Sequence, residues 1–413
     1  MPPPVPPAAP DPAGPVRVAI LDHTAELGGA ELALLRLLES VDRSIVDPVV
    51  VLFSPGPLQQ RLEQAGHAVV VVPLDARVRD TSRSAGAARM LRAAATTPVF
   101  LARLVATLRR LDVDVVHTTS LKADLLGALA APALRRPLVW HVHDRIATDY
   151  LPRRTARAVR ALARWVPYAV VANSRATAAT LPGVRRLVVA HPGLSVEQVA
   201  AAPRSRQPEG PPVVGMIGRL SPTKGQLVLV RAAARVAATR PDTRFRIVGE
   251  AAFGTEDYER RVRDEVERLG LAGHVAIVGF AEDPRRELDR LTVCVHASTV
   301  PEPFGQVVTE AMAWGVPVVA TRGGGVDEIV RTGAPGHETA LLVDPDDERQ
   351  LADAVLAVLD RPADALERAA RAHADVTARF SAARGAQVVT SLWREAAGTA
   401  SRAAAAREAI RPS

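Results

Sequence analysis

The sequence predicts an α/β protein built on two open parallel sheets. Three observations carry this. Short apolar runs alternate with stretches of helical spacing along most of the chain, the order that wraps a parallel sheet in helices. The alternation breaks once, at a polar, proline-rich stretch over 200–212, and then restarts. The length, 413 residues, exceeds what one core usually holds. The reading is therefore a Pro-rich disordered lead at 1–15, a Rossmann-like domain at 16–199, a linker at 200–212, and a second Rossmann-like domain at 213–380. Helices at 381–413 are expected to pack back on the first domain or simply to cap the second.

Composition narrows the function classes. Hydrophobic residues make up 48% of the chain, so it can fill real cores. The single cysteine, Cys294, excludes an intrachain disulfide framework and any multi-cysteine metal site. It lies in the apolar run TVCVHAS and reads as a core thiol. Residues 1–206 hold 26 Lys+Arg against 16 Asp+Glu, and 207–413 hold 26 against 29. An anionic partner would thus meet the first half. Nucleic acid is not expected, because aromatics are only 3% and no stacking platform shows. No basic-then-apolar signal segment or 18-residue apolar span is present, so a cytoplasmic location is expected, with or without attachment to the inner membrane face.

In order, Val16–Asp22 (VRVAILD) is a buried-type strand. Gly28 and Gly29 punctuate the next loop, and helical spacing starts at Glu31. That unit puts backbone amides at the carboxyl end of a sheet, without the full GxGxxG spacing of a dinucleotide site. Further strands are expected at 47–53, 68–72, 113–117, 137–141, 169–172 and 187–190. Two helical stretches between them are basic. Residues 85–110 carry Arg89, Arg92, Arg103, Arg109 and Arg110 with no acid, and 145–164 carries six arginines against Asp149. They read either as a solvated face or as a surface for anionic lipid. The second domain has expected strands at 213–217, 244–248, 274–279, 292–297, 316–320 and 340–343, with helices at 226–239 and 258–270 among the connections, and is helical after Asp344.

Several loops carry residues suited to chemistry. Gly218–Gly225 (GRLSPTKG) ends the first strand of the second domain and holds Arg219 and Lys224. A bidentate guanidinium and a point charge on a glycine-bounded loop suit a diphosphate; the P-loop pattern is missing. Glu302 sits in a proline-rich turn, Phe304 and Gly305 follow, and Glu310 lies on the next helix. Two acids flanking a helix start suit a polyhydroxylated, phosphate-bearing ligand. The loop Gly323–Gly325 repeats the glycine-and-helix theme. His117, His141 and His143 fall at strand ends of the first domain, where ligands meet parallel sheets. No HExxH or comparable arrangement supports a metal.

Together these segments resemble the retaining glycosyltransferases of family 4, the group 1 glycosyltransferases. The matching residues are GGAE at 28–31, VVANS at 170–174, GRLSPTKGQ at 218–226, EPFGQVVTEAMAWGVPVVA at 302–320 and GGGVDEIV at 323–330. The resemblance implies a GT-B fold, with two Rossmann-like domains facing across a cleft. It implies a nucleotide-diphosphate sugar as donor and a glycan, lipid-linked or small-molecule acceptor. Arg219 and Lys224 would hold the diphosphate, Glu302 a sugar hydroxyl and Glu310 the ribose. The backbone of Phe304, Gly305, Gln306 and Val307 would lie along the donor, Gly28 and Gly29 would add amides, and His143 would sit near the reacting carbon, with His141 as its alternative. No cofactor and no metal are expected. Two departures touch specificity: HPGLS at 191–195, where the family usually has an asparagine-glycine turn, and the less glycine-rich loop at 249–254. The alternatives are an NDP-sugar 2-epimerase on the same fold and an inactive nucleotide-sugar-binding protein.

Overall fold

The computed structural model describes residues 14–75, 87–251, 254–281, 283–330 and 337–409, without the side chains of 87–96 and 401–409. Most of the proline-rich lead, the side chains of Arg89 and Arg92, and residues 252–253 of the 249–254 loop lie outside the described residues.

The chain divides into two compact units, residues 1–193 with 382–413, and residues 194–381. The first is built on seven strands: β1 (Val16–Asp22), β2 (Val46–Leu52), β3 (Ala68–Val71), β4 (Val115–Thr118), β5 (Leu138–Val142), β6 (Ala169–Ala172) and β7 (Leu187–Val189). Their order is β3-β2-β1-β4-β5-β6-β7, every pair parallel. The second has β8 (Val213–Ile217), β9 (Arg244–Val248), β10 (Val275–Gly279), β11 (Val293–His296), β12 (Val318–Thr321) and β13 (Leu341–Val343), in the order β10-β9-β8-β11-β12-β13. These pairs are parallel too. Both units are Rossmann-like, and in each the winding direction reverses once, at β1/β4 and at β8/β11. In such sheets that reversal opens a crevice at the carboxyl ends of the strands.

β1, β6, β8 and β9 have the limits read from the sequence, and the other strands differ by one or two residues. At β4 the chain turns through Asp112, which is left-handed at φ 45°. The Asp114 carboxylate then takes the Arg17 N–H at 2.9 Å, so pairing with β1 starts late. At β12 the Val316 N–H still closes the preceding helix on Ala311 O at 2.9 Å. Pro317 has no N–H to give, and the ladder begins at Val318.

The helix Ala382–Ala409 belongs to the first unit. Ala386, Val389, Leu392, Trp393 and Ala396 are buried with Val18, Val115 and Val139 of the sheet and Leu34 and Leu38 of the helix Gly29–Glu39. The stretch 200–212 is fastened within the second unit. Leu194 N–H bonds Phe380 O at 2.7 Å. The Arg204 guanidinium donates to the carbonyl oxygens of Leu288, Asp289 and Leu291.

Leu392 is almost fully buried in this arrangement. Leu392→Ala should cost about 2–5 kcal/mol and lower the thermal midpoint of the first unit. An unchanged midpoint would show that the C-terminal helix adds nothing to that core.

Candidate functional site

In the second unit the reversal point carries a fastened loop. Gly225, left-handed at φ 80°, begins the helix Gln226–Thr239. A Cβ there would lie 1.9 Å from Ala297 O, so only glycine lets this loop press on the end of β11. The buried Gln226 side chain donates to Arg219 O at 3.0 Å and accepts from Ser221 N–H at 3.4 Å. Thr299 N–H bonds Thr223 O at 3.0 Å. These bonds fix Lys224, whose ammonium pairs with the Glu302 carboxylate.

Glu302 is only 8% exposed. The Ser298 hydroxyl donates to its Oε1 at 3.0 Å, and His296 Nε2 lies 3.5 Å from the same atom. Thr321 Oγ1 is 3.3 Å from His296 Nδ1. Burial alone would raise the Glu302 carboxyl, but Lys224 and His296 outweigh it and hold the group far below the ordinary carboxylate range. Its main chain is gripped as well: Gly325 N–H bonds Glu302 O at 2.9 Å. A Cβ on Gly324, itself left-handed at φ 69°, would sit 2.0 Å from that oxygen.

The Phe304 side chain is core, edge-on to Phe380 with ring centroids 5.5 Å apart. Gly305 at φ 110° opens the helix Gln306–Ala313, which carries Gln306, Val307 and the half-buried Glu310. Glu310 reaches the interior: burial and its charge push the Cys294 thiol to about 12, so Cys294 is no nucleophile. Arg219 is exposed on the loop. The unit thus brings Lys224 and Glu302 into contact and sets Arg219, Glu310 and a helix start on adjoining segments. The charges suit an anion beside hydroxyl groups.

In the first unit the fully buried Asp22 ends β1. It accepts from Thr119 Oγ1 at 2.8 Å and Thr24 N–H at 3.3 Å, and His23 Nδ1 lies 3.3 Å away. Gly28 is extended, and a Cβ there would fall 2.6 Å from Glu31 Oε2, the movable end of a flexible side chain. The Glu31 carboxyl folds over its own helix start, beside Gly28 and Gly29. Burial, then Asp22, push it to about 8. His143 stands just past β5, half-buried, its carbonyl taking the Asn173 Nδ2–H at 2.9 Å. Burial draws its imidazole down to about 4 against the opposing pull of Asp144 and Asp22. His141, 6% exposed, lies beneath it with ring centroids 4.2 Å apart. Both rings line a small pocket with Thr119, Leu34, Leu37 and Val389. Among the described residues no group of three or more His, Cys, Asp and Glu is arranged to hold a metal ion.

Sequence reasoning missed His296, Ser298 and Thr321 around Glu302, and Asp22 beside the glycine loop. A signal existed. Each is a polar residue closing or following an apolar run, where a parallel strand reaches its carboxyl end.

Residues 27–198 match Glycosyltransferase Family 4, and residues 200–375 match Glycosyl transferases group 1. The chain belongs to these glycosyltransferases, and its solved neighbours are GT-B proteins. It is 32% identical over 281 residues to the D-inositol 3-phosphate glycosyltransferase of Nocardioides sp., covering 60% of each chain. To the glycogen synthase of Mycobacterium tuberculosis it is 30% identical over 285 residues, covering 65% of each. The chain thus spans about 60% of the first relative's length. HepE of Anabaena, solved with UDP and glucose, superposes with a TM-score of 0.77 at 28% identity, covering 91% of this chain and 99% of that one.

Glu31 and His117 are among the groups that make the first unit's stability depend on pH. Glu31 has a raised folded-state value, so its contribution is complete below about 4.5 and fades as pH rises through about 8. His117 is drawn down to about 3 by burial, so its contribution is complete above its ordinary value near 6.5 and fades as pH falls toward 3. Glu31→Gln should flatten the alkaline decline, each pH unit being worth at most about 1.4 kcal/mol. Urea unfolding at pH 5, 6.5 and 8 reads this out. A decline as steep as in the parent protein would show that Glu31 is not the group responsible.

Proposed function

We propose that the protein is a retaining, metal-independent glycosyltransferase that takes a hexose from a UDP-sugar. The observation that carries this is the Lys224–Glu302 pair at the reversal point of the group 1 unit. A cation and a carboxylate held by the same loops can exchange partners when a donor arrives. The diphosphate takes Lys224, and a sugar hydroxyl donates to Glu302. The choice of UDP rests on HepE, solved with UDP-glucose and 27% identical to this chain.

The chemistry follows from charge. Breaking the bond between the anomeric carbon and the diphosphate leaves negative charge on the phosphate and oxocarbenium character on the sugar. Lys224, Arg219 and the amides at the start of the helix Gln306–Ala313 stabilise the leaving group as its charge grows. They supply the neutralisation that other enzymes draw from a divalent ion. Glu310 holds the ribose, and the main chain from Phe304 to Val307 lies along the donor. His143 and the Gly28–Gly29 amides act at the reacting end. A neutral imidazole can take a hydrogen bond from the sugar without repelling positive charge at the anomeric carbon. The acceptor attacks from the face the diphosphate leaves, which retains configuration.

The acceptor is a glycan, a lipid-linked sugar or a small polyol. The relatives named for D-inositol 3-phosphate put phosphorylated polyols in the screen. For a lipid-linked acceptor the first unit offers a surface. On the helix Arg153–Trp165, Ala156, Val159 and Ala163 face inward. Arg153, Arg154, Arg157 and Trp165 are exposed, Trp165 by 70%. Arg160 and Arg164 instead bond the carbonyls of Ile146 and Pro182. No described helix is long and apolar enough to cross a membrane. Attachment would be peripheral, through arginine charge and the Trp165 ring.

UDP-glucose should raise the thermal midpoint by mass action, and Glu310→Ala should remove that rise. Lys224→Ala should slow UDP release from UDP-glucose by about 10²–10³-fold, and EDTA should leave the parent rate unchanged. Activity lost to EDTA and restored by a divalent ion would overturn metal independence, and epimerised UDP-sugar formed without acceptor would favour a 2-epimerase. Vesicles with anionic lipid should sediment the protein and release it in high salt, and Trp165→Ala with Arg154→Glu should abolish this. Equal binding to neutral vesicles would contradict the docking surface.

A further inference from the structure

The first unit contains a line of four aromatic rings. Trp393, on the helix Ala382–Ala409, is fully buried 276 residues from His117 in sequence, and its Nε1–H donates to His117 Nδ1 at 3.1 Å. The two rings meet edge to face, centroids 5.3 Å apart at 88°. His117 meets His141 in the same way at 5.3 Å and 79°, and His141 lies on His143 at 4.2 Å and 31°. Strand register explains the alignment. His117 pairs with Val139, so His117, Val139 and, two residues on, His141 share one face of the sheet. The C-terminal helix covers that face.

Two features separate this line from ordinary packing. An indole N–H only donates, so His117 Nδ1 accepts and its proton sits on Nε2. One tautomer is thereby set from a distant helix. His141 is buried with neither ring nitrogen hydrogen-bonded. An aliphatic side chain would fill that space without leaving polar atoms unsatisfied. What imidazole adds is a flat, rigid face of the right depth beneath His143. Burial keeps both inner rings neutral, so the stack carries no charge that would drive His143 away.

We propose that Trp393, through His117 and His141, is a positioning residue that fixes the ring of His143 at the end of β5, making the C-terminal helix part of the catalytic apparatus. The inference rests on the reading that His143 acts at the reacting carbon. A ring displaced by a fraction of an ångström costs catalysis more than binding.

The test is Trp393→Phe, which keeps the buried ring and removes only the N–H. UDP release from UDP-glucose should fall roughly 10–100-fold in kcat, with KM for UDP-glucose unchanged and the thermal midpoint close to the parent's. Ring-nitrogen NMR of histidine-labelled protein should show His117 fixed with Nδ1 bare in the parent and mixed in the variant. His117→Gln, which keeps an acceptor for the indole, should lose less activity than His117→Phe. An unchanged kcat in Trp393→Phe while the His117 tautomer mixes overturns the proposal, as does a kcat loss that only follows a fall in thermal midpoint. His143→Ala, assayed alongside, separates the two readings. Full activity there removes both, whereas lost activity there with full activity in Trp393→Phe removes only the positioning role.

Discussion

A parallel strand buried on both faces has only its ends for polar work, and this constraint shapes the molecule. β1, β4, β8 and β11 are mostly apolar and turn polar at or just past their carboxyl ends, through Asp22, His117 and Thr118, Arg219, and His296. The winding reverses beside those strands in each sheet, so the polar ends face open crevices. The candidate residues lie at or beyond strand carboxyl ends: Gly28 and Gly29 after β1, His143 after β5, Arg219 and Lys224 after β8, and Glu302 and Glu310 after β11. The helices and apolar strand centres build the platform, and loops of a few residues carry the chemistry.

The two units solve opposite electrostatic problems. In the second, a buried carboxylate is kept ionised because Lys224 and His296 stand against Glu302. Removing one partner would leave a buried charge uncompensated, which is costly. A ligand that replaces one partner with another avoids that cost, and this is why an ion pair suits a site that must bind and release an anion. In the first, acidic groups crowd together near the glycine loop. Glu31 lies near Asp22 and Asp144, and the crowding favours its protonated form. Asp124, deep in the same unit, is likewise pushed up by burial, against a hydrogen bond from Thr118. Burial thus favours the neutral forms of Glu31, Asp124, His117 and His141 inside the first unit. Arg153, Arg154 and Arg157 are exposed on its surface.

Much of this was legible in the sequence, because buried parallel strands announce themselves as apolar runs. β1, β6, β8 and β9 have the limits read from the sequence, and β4 and β12 shift where a left-handed residue, a side-chain bond or a proline alters the ladder. Glycine loops were legible because Gly225 and Gly324 hold positive φ against main-chain oxygens, and few other residues fit. What could not be read was pairing across sequence distance. Nothing local in Lys224 says it meets Glu302, 78 residues away. Nothing in Trp393 says its N–H reaches His117. The stretch 200–212 looked like free linker because proline and charge mark exposure. The hydrogen bonds that tie Arg204 to the carbonyls near Leu288 leave no trace in composition.

The central claim is that Lys224 and Glu302 trade each other for the donor. A crystal structure of the protein with UDP-glucose tests it most directly. The account predicts Lys224 on the diphosphate, Glu302 accepting from a sugar hydroxyl, and Ser298 still donating to the Glu302 carboxylate. UDP-glucose bound elsewhere, with the Lys224–Glu302 pair intact, would contradict it.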